Sequence, residues 1–278
     1  MWVLLSLGAA ILVGTTDALS KKALQSHRHQ TVAWVRLGWA GFFLLPMLFF
    51  SEYPADPQVY WMTIGLAIPF EIVAALLYQR ALQISPLSLT IPYLAFTPLF
   101  LLFMAWGLLG ETPSLLGFLG VLLIALGGGA LQRNNILKGG FHFEQGSYLM
   151  LVVAFLYSVT ASLAKKALLV SSPFFFSATY FPLIALFMLP WVVRSSHPKE
   201  LFFHPRLFAS LGFFEALACL LQFVAMLQGN VAYIISIKRL SVLLALFYGK
   251  VIFHEEQIFR RFVGAFFMIL GAALIAFG

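Results

Sequence analysis

Apolar residues along the chain come in long blocks, without the strict alternation of a half-buried strand. The blocks lie near residues 2–20, 31–50, 60–83, 87–109, 114–132, 146–168, 173–193, 205–228, 231–253 and 258–277. Each approaches the roughly 20 residues that a helix needs to cross the hydrocarbon of a bilayer. Turn-forming residues punctuate them, at Ser51–Pro57, Ser85-Pro86, Glu111-Thr112-Pro113, Ser171–Pro173, Ser195–Pro198 and Gly229-Asn230. Inside lipid every backbone polar group must be satisfied within the protein, and blocks of this length do so as helices. The pattern predicts an all-α integral membrane protein with ten transmembrane helices.

The one polar stretch of any size, Gln132–Gln145, divides the blocks five and five. A shift of 144 residues brings the halves into register without a gap, so the chain is an internal duplication. Under that shift Lys21-Lys22-Ala23-Leu24 falls on Lys165-Lys166-Ala167-Leu168, Pro46 on Pro190 and Glu71 on Glu215. Ala81 likewise falls on Ala225, Glu111 on Glu255, Gly120 on Gly264 and Gly127 on Gly271. An odd number of spans per copy forces the second copy to enter the membrane inverted. Loop charges agree: basic residues follow spans 1 and 3 in the first half (Lys21, Lys22, Arg28, Arg80). In the second half most have moved to the loops after spans 7 and 9 (Arg194, Lys199, Arg206, Lys250, Arg260, Arg261). The predicted architecture is two inverted five-helix repeats, residues 1–132 and 146–278, joined by a linker at 133–145.

Composition narrows the function. Of 278 residues 62% are hydrophobic and only 10% charged, with mean hydropathy +0.95, against about 25% charged in a soluble domain. No stretch is left for a tethered enzyme or an ectodomain, so function is expected among the helices. The net charge of +7 reads as basic loops on one side of a membrane rather than as a nucleic-acid surface. Loops after odd-numbered spans hold 12 Lys and Arg, counting Arg133 and Lys138, against Lys165 and Lys166 on the other side. The positive-inside rule then puts both termini outside the cytoplasm, in a multi-pass cell-membrane protein of bacterial inner-membrane type. Trp2 opens an apolar run with no basic region before it, so no cleavable signal peptide is expected. The single cysteine, Cys219, forms no internal disulfide, and no Cys/His spacing suggests a metal or other cofactor. Metalloprotease, nucleophile-elbow and P-loop motifs are absent, and the repeat accounts for the Glu255 of His254-Glu255-Glu256; no enzyme is expected.

The stretch Ala81–Gly127 carries Ala81-Leu82 at the end of span 3, Pro98 within span 4, Gly110-Glu111 closing it and spaced glycines in span 5. With Arg36 near the start of span 2, this resembles the drug/metabolite transporter superfamily, in particular its ten-span EamA-type members. The second half repeats the pattern more loosely, with His254 for the Gly and Val242 for the Pro. The resemblance covers essentially the whole chain. It implies a central cavity lined by spans 1–4 and 6–9, spans 5 and 10 at the periphery, and alternating access between two faces. Substrates across the superfamily include amino acids, nucleotide sugars and sugar phosphates, and fold does not choose among them.

Positions where the copies differ point to the site, because symmetry no longer explains them. Lys238-Arg239, in the middle of span 9, stands opposite Leu94-Ala95 of span 4. Each intramembrane cation costs about 2.5–3.5 kcal/mol on insertion scales unless it meets a partner or a wet cavity. The pair is similar to the Lys-Arg of span 9 in plastid-type sugar-phosphate translocators. Arg provides a planar fork and Lys a compact charge, a combination suited to phosphate or carboxylate. The alternative is that both neutralise Glu71 and Glu215. Ser241 shares the Lys238 face, and the matching wall of span 4 carries Thr97 flanked by Tyr93. For Glu71 and Glu215, proton coupling, salt bridging and interfacial placement stand open side by side.

Asp17 is expected to form an i, i+4 ion pair with Lys21, and Arg36, between Trp34 and Trp39, to act first as an interfacial anchor and second as a site residue. Trp34, Tyr93, Tyr157 and Tyr180 are aromatic candidates for the cavity wall. Gly117, Gly120 and Gly127 are expected at close helix contacts. Pro46 and Pro190 are expected to kink their helices, and Pro92 and Pro98 to bend span 4 differently from span 9. The leading expectation is a secondary active carrier of a small anionic metabolite, with a small-molecule substrate, possible proton or exchange coupling, and a monomer or homodimer in the bilayer. The alternative is an exporter of amino acids or other amphipathic metabolites, or a flippase of a lipid-linked phosphate.

Overall fold

A computed structural model describes residues 1–130, 145–195, 200, 203–254 and 262–277, and all its regular elements are helical. The predicted linker, except Gln145, lies outside these residues, as do Lys199, Glu255, Arg260 and Arg261. Eight helices are long and apolar enough to cross a membrane: Trp2–Ala23, His29–Phe50, Pro57–Ile84, Leu87–Leu109, Gln145–Leu168, Pro173–Arg194, Pro205–Met226 and Val231–Val251. These are spans 1 to 4 and 6 to 9. Spans 5 and 10 are the shorter helices Leu115–Ala130 and Phe262–Phe277. The chain is an integral membrane bundle of ten helices in two repeats.

Each helix packs chiefly on the opposite half: span 1 on 8, span 2 on 7 and 8, span 3 on 6, span 5 on 10. The pairings 1 with 8 and 6 with 3 exchange when the repeats exchange, as inverted copies require. Spans 5 and 10 stand together at the periphery, and glycines let their backbones meet. A Cβ on Gly120 would fall 2.6 Å from the Gly271 carbonyl oxygen, and one on Gly127 would fall 2.6 Å from that of Gly264. Gly117 performs the same service for a side chain, since its missing Cβ makes room for the Tyr233 ring.

The duplicated lysines are structural pins. Lys21 Nζ donates to the carbonyls of Leu82 at 2.5 Å and Ser85 at 2.7 Å, where span 3 ends. In the second copy Lys165 Nζ donates to the carbonyls of Met226 and Gly229, each 144 residues further on. Helix C-termini leave carbonyls unsatisfied, and an ammonium inserted there supplies both hydrogen bonds and a favourable charge. Glu111 completes the second pin: it lies 3.6 Å from Lys165 and accepts from the Val231 N–H at 2.9 Å, at the start of span 9.

Spans 4 and 9 are both interrupted midway. Span 4 runs as a turn of α-helix (Leu87–Thr90), a 3-10 segment (Ile91–Phe96) and an α-helix from Thr97. Span 9 is helical over Val231–Lys238, breaks at Arg239-Leu240 and resumes at Ser241. Thr97 and Ser241 are equivalent positions, so the two breaks coincide although only span 4 has prolines there. The expected difference between these spans is one of local form rather than place. Pro46 ends the α-helix of span 2, which continues as a 3-10 turn over Leu45–Phe50, whereas Pro190 lies within the continuous helix Pro173–Ser195.

Candidate functional site

Where the breaks of spans 4 and 9 face spans 2, 3, 6, 7 and 8, the bundle encloses a cavity. Its walls come from spans 1–4 and 6–9, with none from spans 5 and 10 among the described residues. The cavity volume is about 90 Å³, room for a small solute only. Interrupted helices at the interface of inverted repeats are where carriers place their substrates.

Two polar networks line it. The first centres on Arg36, which is only 8% exposed. Its Nη1 donates to Asp17 Oδ1 at 3.0 Å, its Nε to Glu215 Oε2 at 2.9 Å, and Nη2 lies 2.8 Å from the same oxygen. Tyr78 donates its hydroxyl to Asp17 Oδ1 at 2.6 Å, and its ring centroid lies 5.0 Å from the guanidinium carbon. Arg36 is thus a buried cation between two carboxylates rather than an interfacial anchor. The Asp17–Lys21 ion pair is corrected in the same way: Asp17 turns to Arg36 and Tyr78, while Lys21 reaches the span 3 carbonyls. Both departures have one cause. Span 8 packs on spans 1 and 2 and brings Glu215 opposite Arg36, and the buried guanidinium then holds both acids while Lys21 is engaged at the end of span 3.

The second network surrounds Lys238 and Arg239. Lys238 donates to the Gln222 side-chain oxygen. Arg239 donates through Nη2 to Thr97 Oγ1 at 3.0 Å, its guanidinium carbon lies 5.9 Å from the Tyr157 ring centroid, and its Nε is buried without a hydrogen-bond partner. Neither cation reaches a carboxylate within ion-pair distance among the described residues. Of the reading in which they neutralise Glu71 and Glu215, the Glu215 half gives way to the ion pair with Arg36, while the charge of Lys238 acts on Glu71 from beyond ion-pair distance. Glu71 accepts from the Tyr180 hydroxyl at 3.5 Å and from the Thr160 side chain.

Of the residues singled out in the sequence, Lys238, Arg239, Thr97, Glu71, Glu215, Tyr180 and Arg36 all line this cavity. Ser241 is buried at the restart of span 9 and Tyr93 packs beside Phe96; neither reaches the lining. Trp34 instead donates its indole N–H to the Ala185 carbonyl at 2.8 Å, against span 7. The cavity also takes Tyr78, Thr160 and Gln222, which the sequence reading leaves out as site residues, and Tyr157, an aromatic candidate. The 144-residue shift contains a signal for three of them, since Tyr78 faces Gln222 and Tyr157 faces Val13. The same shift sets Asp17 against Ala161 and Arg36 against Tyr180.

Comparison with known proteins gives one family. The model of the EamA-like transporter family matches residues 1–129 and again 145–277. No curated protein matches the chain. A solved structure described only as "Crystal structure of protein" superposes with a TM-score of 0.77 over 99% of this chain and 98% of that one, at 16% identity, a likeness of fold.

Proposed function

The chain belongs to the EamA-like transporter family, a membrane transporter rather than an enzyme, and from that premise we propose that it carries a small anionic metabolite, phosphate- or carboxylate-bearing, by alternating access. The observation that supports this is the contrast between its cavity cations. Arg36 is saturated by Asp17 and Glu215, whereas Lys238 and Arg239 rest on the neutral side chains of Gln222 and Thr97. Arg239 keeps one buried N–H unmet. An unmet buried donor on a charged group is costly, and an oxyanion between the two side chains would satisfy it while balancing both charges. The Arg fork takes two oxygens and Lys a third. Their placement at the break in span 9 suits rocking of the two halves around a fixed anion.

Glu71 supplies the coupling in this reading. With Glu215 committed to Arg36, Glu71 is the cavity carboxyl that, among the described residues, is hydrogen-bonded only by hydroxyls, with the charge of Lys238 acting on it from beyond ion-pair distance, free to exchange a proton as the anion enters or leaves. The same residue favours a second reading, export of an amino acid, whose ammonium would meet Glu71 while its carboxylate meets Arg239. Loop charge supports termini outside the cytoplasm in a bacterial inner membrane.

Counterflow in proteoliposomes tests the proposal. The Lys238→Gln/Arg239→Gln protein should fold and lose counterflow of phosphates and carboxylates; undiminished counterflow would sink the assignment. An amino acid as the sole counterflow substrate, lost in Glu71→Gln, would favour the second reading.

A further inference from the structure

His27 lies in the turn between spans 1 and 2, in the first repeat, and His204 lies immediately before span 8, in the second. Their rings meet: His27 Nε2 is 3.0 Å from His204 Nδ1, and the ring planes stand at 77°. Phe208, one turn into span 8, packs edge-on against His27 at 5.1 Å. Gln83, at the end of span 3, donates to the His27 carbonyl at 3.3 Å. One imidazole contact therefore ties the turn after span 1 and the end of span 3 to the start of span 8. Nothing in the 144-residue repeat demands it. The equivalents of His27 and His204 are Ser171 and Tyr60, and Tyr60 bonds instead to Thr179 at 2.5 Å. On the opposite face an Ala55 N–H donates to the Val170 carbonyl at 2.8 Å, a backbone bond with no titratable group.

We propose that the His27–His204 contact is a proton-operated latch that holds the two repeats together on the face formed by the loops after odd-numbered spans, and releases that face when both rings are protonated. The chemistry sets a threshold. Two neutral rings share one N–H and one lone pair between Nε2 and Nδ1. A first proton goes to a nitrogen facing away, and the bond persists with the charged ring as donor. A second proton leaves two N–H groups pointing at each other across 3.0 Å with like charges, and the contact cannot survive.

The surroundings delay that second proton. Burial and the neighbouring His204 hold His27 below the usual imidazole range, with Glu200 opposing. Among the described residues, the charged and titratable groups on the elements that carry the pair are Glu200 ahead of span 8, Arg206 within its first turn, Lys22 and Arg28 on the span 1–2 turn, His29 at the start of span 2 and Arg80 near the end of span 3; of these, Glu200 acts on His27. Release therefore belongs below the ordinary imidazole range.

The single cysteine makes a test that needs no introduced label. Cys219 lines the cavity, so its conversion to a mixed disulfide by a bulky charged methanethiosulfonate in nanodiscs, with methanesulfinate leaving, reports opening. Rates are taken as wild type over His27→Gln at the same pH, which cancels the pH dependence of the thiol. The carboxamide of His27→Gln can still bond His204 but cannot be charged. The ratio should be near 1 at pH 7.5 and rise about fivefold or more at pH 5. His27→Ala, with no latch, should label fast at both pH values. A ratio that stays near 1 at pH 5, or His27→Ala labelling as slowly as wild type at pH 7.5, would overturn the proposal. Circular dichroism of each variant distinguishes opening from unfolding.

Discussion

Glu71 and Glu215 occupy the same position in two copies of one fold, yet they live in different chemistry. Glu215 meets Arg36 of the other half at 2.8 Å; Glu71 meets Tyr180, the residue that replaces Arg36 in the other half, at 3.5 Å. One carboxylate is locked in an ion pair and the other is held by hydroxyls. Beside them, the cation of the second copy has moved to span 9, as Lys238 and Arg239, where it has neutral partners. A duplicated scaffold teaches by its exceptions: what the copies share pins helices together, and what they do not share furnishes the cavity.

The largest effect should come from breaking the locked member of the pair. Arg36→Gln leaves Asp17 and Glu215 buried without a cation, and should lower stability by about 3–5 kcal/mol, read as a fall in Tm in detergent. Arg36→Tyr with Glu215→Gln copies the Tyr180 arrangement with no uncompensated acid at 215, and should recover part of that loss, Asp17 still lacking its cation. Shared features should answer differently. Gly120→Val forces a branched side chain toward the Gly271 carbonyl and should cost about 1–3 kcal/mol in unfolding measurements. Purified protein that survives should still transport, because spans 5 and 10 stand off the cavity. Glu111→Ala removes both the Lys165 ion pair and the Val231 N–H acceptor. A loss of about 1–2 kcal/mol is expected, with faster hydrogen exchange at the start of span 9. Glu71→Gln keeps its hydroxyl partners and should change stability by under about 1 kcal/mol. Its effect belongs to transport: counterflow should persist while uptake driven by a pH gradient disappears.

Much of this scaffold is legible in the sequence because membrane helices advertise themselves by length and a gapless duplication by register. The Lys21 and Lys165 repeats, the paired glycines and the inverted loop charges all follow from the chain alone. The site is legible only in part. Lys238 and Arg239 stand out as charges that the other copy lacks, and the cavity receives both. Arg36 and Asp17 mislead, because each has a cheap local explanation, an anchor between tryptophans and an i, i+4 partner. Local spacing cannot reveal that span 8 packs on spans 1 and 2 and so delivers Glu215 to Arg36. Nor does periodicity announce the break of span 9 at Arg239-Leu240, where no proline or glycine marks it.

The central claim is that Lys238 and Arg239 wait for an anion, and thermal stability of the purified protein against phosphates, phosphonates, carboxylates and amino acids tests it most directly. A ligand that binds the folded state at a hundredfold excess over Kd adds about 2.7 kcal/mol. The account predicts stabilisation by one or more anions, absent with neutral analogues and lost in Lys238→Gln/Arg239→Gln. Stabilisation by an anion that survives that double substitution would contradict it.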